Sequence, residues 1–182
     1  MNEVIKTIFE RYSCRDFSPQ PLDSGQVDIL VKCALAAPSA MNRQPWHIIT
    51  ITDKALIEEM DSYIMAGIKA GNEDWYNRML ERGGKIFYNA PCLMVIAKDG
   101  SDAATLDCGI VSQNIALAAH AMGLGSVICG MARMAFDGEK GEGFKKRIKL
   151  PEGYEFGMSV CVGAALSGKA PHEPDMGKVT YI

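Results

Sequence analysis

Val4, Ile5, Ile8 and Phe9 recur at helical spacing, which predicts a short amphipathic helix over residues 3–11. Asp23-Ser24-Gly25-Gln26 has the form of an N-terminal capping box, and Val27, Leu30, Val31 and Ala34 supply the apolar face behind it. That helix should stop near Ala37-Pro38, because a residue before proline is pushed away from helical angles. His47 to Thr52 is rich in β-branched residues and reads as a strand. Asp53 caps a following helix that runs toward Met65, and Gly67 to Gly71 is expected to break it. A polar helical segment over 72–82 ends at Gly83-Gly84.

The continuous apolar run Leu93 to Ala97 reads as a buried strand. Residues 103–122 form the longest predicted helix, closed by Gly123. A third strand follows at 126–129, a charged amphipathic helix at 136–148 and a fourth strand at 156–162. Helices separate most strands, so the pattern predicts an α/β or α+β sandwich around one sheet. No repeat or linker divides it, and residues 1–182 are read as one domain. Val179 to Ile182, a β-prone patch beyond Pro171 and Pro174, needs a sheet edge to pair with. Its own sheet or a neighbour's would serve. A neighbour's is favoured, making the protein a homodimer.

Composition narrows the function classes. With 48% apolar and 23% charged residues the chain is an ordinary globular protein, and its net charge of −3 argues against nucleic-acid binding. The six cysteines form no CxxC pair and several sit in apolar runs, which suits reduced thiols in a cytoplasmic protein. Three dispersed histidines offer no metal-ligand spacing. The opening residues lack the apolar core of a signal peptide, and the 103–122 stretch carries too many polar residues for a membrane span.

Two segments carry candidate chemistry. Arg11, Ser13 and Arg15 point the same way if the chain leaves the first helix extended, and so form a three-donor anion site. On a continuing helix they would be a solvated end with two surface arginines. Pro38 to Trp46 offers Asn42 and Gln44, whose carboxamides match a ring edge alternating N–H and C=O, as in a flavin. Gln44 is expected extended because Pro45 follows. The plainer reading is a proline-rich turn into a strand, with Trp46 as a core anchor.

Other motifs fail. Gly123-Leu124-Gly125 lies between a helix and a strand in the wrong order for a dinucleotide fingerprint, and Arg82-Gly83-Gly84-Lys85 lacks the first glycine and the hydroxyl of a P-loop. Cys14, between arginines, reads either as an activated thiol or as a buried spacer, with the spacer favoured.

At these residues the chain resembles the nitroreductase family of flavoproteins. Arg11-x-Ser13-x-Arg15-x-Phe17 resembles the family's phosphate motif, and Ala37 to Trp46 its second signature. Asp107 to Ser126 resembles its central helix and glycine turn, and Leu150 to Tyr154 the segment before the last core strand. The resemblance implies FMN and an α+β fold with a mostly antiparallel sheet flanked by helices. It also implies an obligate homodimer with flavin at the interface and a tail strand swapped onto the partner.

It places the phosphate on Arg11, Ser13 and Arg15, with Tyr12 in the same stretch and Lys169 from the tail. Pro38, Ser39 and Ala40 would meet the ring, Asn42 its polar edge, and the Cys129-Gly130 backbone would pass close by. The chain departs from the family pattern in two places. Ala164-Ala165 follows Gly163, and only His172 offers a second basic group after Lys169. Any lid would be small, over 67–84. The implied activity is transfer of electrons from NADH or NADPH to nitroaromatic or quinone-like acceptors by a ping-pong cycle. The alternatives are a non-catalytic flavin-binding dimer, or a flavoenzyme of this fold with other chemistry.

Overall fold

In a computed structural model describing residues 1–182, the apolar run at the chain's centre lies in the middle of a four-stranded sheet. In chain order the strands are β1 (Trp46–Ile51), β2 (Cys92–Lys98), β3 (Gly125–Ile128) and β4 (Glu155–Gly163). They lie in the order β1-β2-β4-β3, with every neighbouring pair antiparallel. The helices are α1 (Glu3–Glu10), α2 (Ser24–Leu35), α3 (Lys54–Gly71), α4 (Glu73–Glu81), α5 (Ala104–Ala121) and α6 (Gly138–Arg147). The architecture is α+β.

Successive strand residues face opposite sides, and here both sides are covered. Cys92, Met94 and Ile96 pack with Val160 and Val162 against Leu30 and Ala34 of α2 and Val111 and Ile115 of α5. Leu93, Val95 and Cys161 pack on the other face against Ile57, Met60 and Ile64 of α3, with Phe136 and Phe144. A strand buried on both sides needs apolar residues throughout, which is why β2 reads as an unbroken run. Trp46 anchors the core on the α2 and α5 side, 6% exposed beside Ala37.

Helix ends follow local chemistry. Asp23 accepts the Gln26 N–H at 2.8 Å while the Gln26 side chain accepts the Asp23 N–H, completing the capping box. At the end of α5, Gly123 adopts φ +74, the Leu124 N–H reaches Ala119 O and the Gly123 N–H reaches His120 O, a Schellman closure.

Two expectations need correction, and the tail patch keeps the edge it needs unassigned. α3 does not break at Gly67–Gly71 but continues to Gly71, because Ile64, Met65 and Ile68 are all buried on one face. Their packing outweighs the roughly 1 kcal/mol that a mid-helix glycine costs. The helix expected from Phe136 begins at Gly138, after a 3₁₀ segment over Gly130–Phe136. A Cβ on Gly141 would lie 2.5 Å from the Phe136 carbonyl carbon, so α6 packs directly onto that turn. Val179 to Ile182 forms no strand within its own chain, where only a 3₁₀ turn at Met176–Lys178 interrupts an exposed tail.

α1 buries none of its residues, and Val4, Ile5, Ile8 and Phe9 are between 45% and 66% exposed. An amphipathic helix with its apolar stripe uncovered lacks a partner.

Candidate functional site

The N-terminal segment leaves its helix as the fading apolar pattern predicts. α1 stops at Glu10, and Arg11 takes φ −57 and ψ 132. Ser13 then bridges Ser126 in parallel, and the Cys14 N–H donates to Ser126 O at 2.9 Å. Cys14 is buried, so the neighbouring Ser13 and Arg15 side chains project outward. Burial pushes the Cys14 thiol above its ordinary range, so it is a spacer and not an activated thiol. None of the ion pairs in the fold involves Arg11 or Arg15. An extended strip with a hydroxyl and two unpaired guanidinium groups suits a dianion.

Gly125 lets this strip dock. A Cβ there would sit 2.8 Å from Cys14 Sγ and 2.9 Å from Cys14 Cβ. Gly125→Ala is therefore expected to cost about 1–3 kcal/mol by overpacking and to shift the strip off β3. Thermal melting and anion binding should both weaken in that variant.

The tail returns to the same corner. The Ser18 N–H donates to Ala164 O, the Leu166 N–H to Asp16 O, and the Tyr12 hydroxyl to Ser167 O at 3.0 Å. Lys169 is thus tethered two residues from a contact of the strip.

Beyond Cys14 the chain leaves β3, and Phe17 pairs with Ala165 instead. The Cys129 N–H faces inward to Ser159 O, and its carbonyl accepts Ser159 Oγ at 2.7 Å. Outward backbone groups in an antiparallel pair alternate with inward ones, so those of Ile128 and Gly130 face the uncovered edge. Both residues are exposed. The Cys129 side chain is buried against Cys161, whose hydrogen bond lowers the Cys129 thiol while the Cys161 thiol is raised. At Cys129-Gly130 the backbone, and not the thiol, meets solvent. Three strand residues, about 10 Å, separate the Ser13 bridge from Cys129, a fitting span for a phosphate joined to a ring by a short polyol.

The Pro38–Pro45 loop has a different form from the one its prolines suggest. Gln44 is not extended but left-handed, at φ +49, as are Met41 at +54 and Asn42 at +55. The Gln44 N–H donates to Ser39 Oγ at 2.9 Å, and that bond closes the turn against the bias imposed by Pro45. Gln44 Nε2 donates to Asn42 Oδ1 at 3.1 Å, so the two carboxamides pair with each other. Pro38 and Ala40 flank Ser39 at the exposed surface of the same loop. Three strained L-residues in one turn cost of order 1–3 kcal/mol each, a burden typical of functional loops.

A second strained loop was not legible in the sequence. Tyr88 and Asn89 are left-handed at φ +54 and +60. Asp61, 3% exposed, holds this loop by accepting the Ile86 N–H at 2.6 Å and the Phe87 N–H at 3.2 Å, with Lys85 Nζ 3.7 Å from its other oxygen. Burial raises the Asp61 carboxyl, partly offset by those N–H groups and by Lys85. A raised carboxyl adds stability that is fully present below its ordinary value of 3.8 and is lost as pH rises through the raised value. The melting advantage of wild type over Asp61→Asn should therefore shrink as pH rises above the ordinary carboxyl value of 3.8. Burial also raises the Tyr88 hydroxyl, and Arg15 beside it opposes that shift. Arg15, Arg82 and Tyr88 line a cavity of about 310 Å³.

The two sequence-predicted segments do not meet within one chain. The strip docks outside β3 near the Ser126–Val162 end, whereas the Pro38 loop enters β1 at Trp46, opposite Lys98, which in turn faces Glu155. Four strand spacings across and seven residues along put the segments roughly 30 Å apart, at opposite corners of the sheet.

The family model for the nitroreductase family matches residues 8–164. This chain belongs to the nitroreductase family. A nitroreductase with bound FMN from Desulfitobacterium hafniense superposes with a TM-score of 0.95 at 44% identity, covering 100% of this chain and 99% of that one. An FMN-dependent nitroreductase from Clostridium difficile gives a TM-score of 0.84 at 30% identity, covering 100% and 99%. An FMN reductase (NADPH) of Bacillus subtilis is 28% identical over 192 residues, spanning 96% of this chain and 71% of that protein. The nitroreductase fold thus carries both segments singled out above. No helix of this nitroreductase-family chain is long and apolar enough to cross a membrane.

Proposed function

We propose that the protein is an FMN-dependent oxidoreductase that takes hydride from NADH or NADPH and passes electrons to nitroaromatic, quinone or similar acceptors. It works as a homodimer with a flavin at each of two shared sites. The observation that carries this reading is the outward strip of Arg11, Ser13 and Arg15, about 10 Å from the open backbone edge at Ile128 and Gly130. One end suits a phosphate and the other a heterocycle.

FMN, when bound, supplies the centre that accepts and returns hydride. Arg11, Ser13 and Arg15 hold its phosphate, with Lys169 joining from the tail beside Tyr12. The Ile128 and Gly130 backbone borders the ring. Pro38, Ser39 and Ala40 of the partner subunit's loop cover that ring, with Asn42, Gln44 and Arg43 toward its polar edge. The opposite-corner placement supports this division, since one chain cannot bring its own loop to its own strip. Exposed α1 supports the dimer, and the unpaired Val179–Ile182 patch supports a tail strand added to the partner's sheet. A site open on one side would admit reductant and acceptor in turn, which would make the kinetics ping-pong.

An anaerobic spectrum tests the reading. The purified protein should show flavin absorbance that NADH or NADPH bleaches and a quinone or nitroaromatic restores, with parallel double-reciprocal plots. Flavin retained but never bleached by either nicotinamide would point instead to a non-catalytic flavin-binding dimer. Failure to take up FMN would overturn both.

A further inference from the structure

Arg82 belongs to a segment that resembles a P-loop only superficially, and the activity above gives it no task. In the fold it ends α4. The Arg82 N–H bonds to Met79 O, and Gly83 and Gly84 then turn the chain at φ +96 and +65. This turn brings Arg82 to the cavity of about 310 Å³ that it shares with Arg15 and Tyr88. Neither arginine makes an ion pair, although the fold pairs Arg147 with Glu59 and Lys98 with Glu155. Two guanidinium groups facing one cavity repel each other until an anion lies between them. Tyr88, beside Arg15 on the cavity wall, adds a hydroxyl, and its left-handed backbone lies in the loop that Asp61 anchors.

We propose that Arg82 is a further ligand of the FMN phosphate, closing on the side of the anion opposite the Arg11–Arg15 strip. This rests on the assignment of FMN above. It makes the corner a two-walled phosphate clamp, one wall on the N-terminal strip and the other at the end of α4. A planar fork at each wall can engage two phosphate oxygens. A plain structural role at the α4 C-terminus, favourable to the helix dipole, would affect melting alone.

The two roles separate by ligand. Apo protein is titrated with FMN and, in parallel, with riboflavin, which has the same ring and polyol but no phosphate. Arg82→Gln is expected to weaken FMN binding about 10- to 100-fold and to leave riboflavin affinity within about twofold. Arg82→Lys should fall between, keeping the charge without the fork, and serves if the glutamine variant does not fold. Equal losses for both ligands, or an unchanged FMN affinity, would overturn the proposal while leaving the FMN assignment standing. If the wild-type protein binds no FMN, both fall together.

Discussion

Alanine at both Arg11 and Arg15 is expected to weaken FMN binding by about two to four orders of magnitude while the fold survives. Each charge-assisted hydrogen bond contributes roughly 1.5–3 kcal/mol, and two lost together give about 3–6 kcal/mol. The fold should tolerate the change because neither guanidinium makes an ion pair and Arg15 is exposed. The strip is held by other groups, namely buried Cys14 and Phe17 and the backbone bond to Ser126. Fluorescence titration gives the affinity, and circular dichroism on the apo protein checks the fold. Riboflavin should bind the double variant as it binds the wild type. Equal weakening of both ligands would show that the strip supports the ring and not the phosphate.

The second large effect is expected from Ile5→Glu combined with Phe9→Glu. These residues lie one turn apart on α1 and are exposed in the single chain, so the substitutions remove nothing from its core. If this stripe is the dimer contact, each buried apolar side chain contributes about 1.5–3 kcal/mol, and a two-fold axis counts every change twice. Unpaired carboxylates carried into that interface add a desolvation penalty. The variant should sediment as a folded monomer and purify without flavin, because each proposed site draws on two chains. A stable dimer in the double variant would place the interface elsewhere.

How far the sequence could be read depended on how local each cause was. The capping box at Asp23, the exit from α1 at Arg11 and the doubly buried β2 were all readable, since neighbouring residues determine them. Gln44 was misread because a rule about its next neighbour, Pro45, was overruled by the Ser39 hydroxyl five residues back. Gly67 and Gly71 were misread because the long-range burial of Ile64 and Ile68 decides that helix. Asp61 and Tyr88 gave no signal at all. A carboxylate that anchors a loop 25 residues away looks like any polar helix position until the fold brings them together. The candidate site residues were proposed by motif, but their separation depends on strand order, and no local pattern encodes that the Pro38 loop and the Arg11 strip lie at opposite corners.

The central claim is that each flavin is gripped by the cationic strip of one chain and the carboxamide loop of another. It is tested by co-expressing two differently tagged chains, one carrying Arg11→Ala and Arg15→Ala, the other Ser39→Ala and Asn42→Ala. The mixed dimer is purified through both tags, and its flavin content is measured at an FMN concentration that leaves each parent homodimer empty. One corner of the mixed dimer would combine an intact strip with an intact loop, so the account predicts one FMN per dimer. A mixed dimer as empty as its parents would contradict it, because strip and loop would then have to act within the same chain.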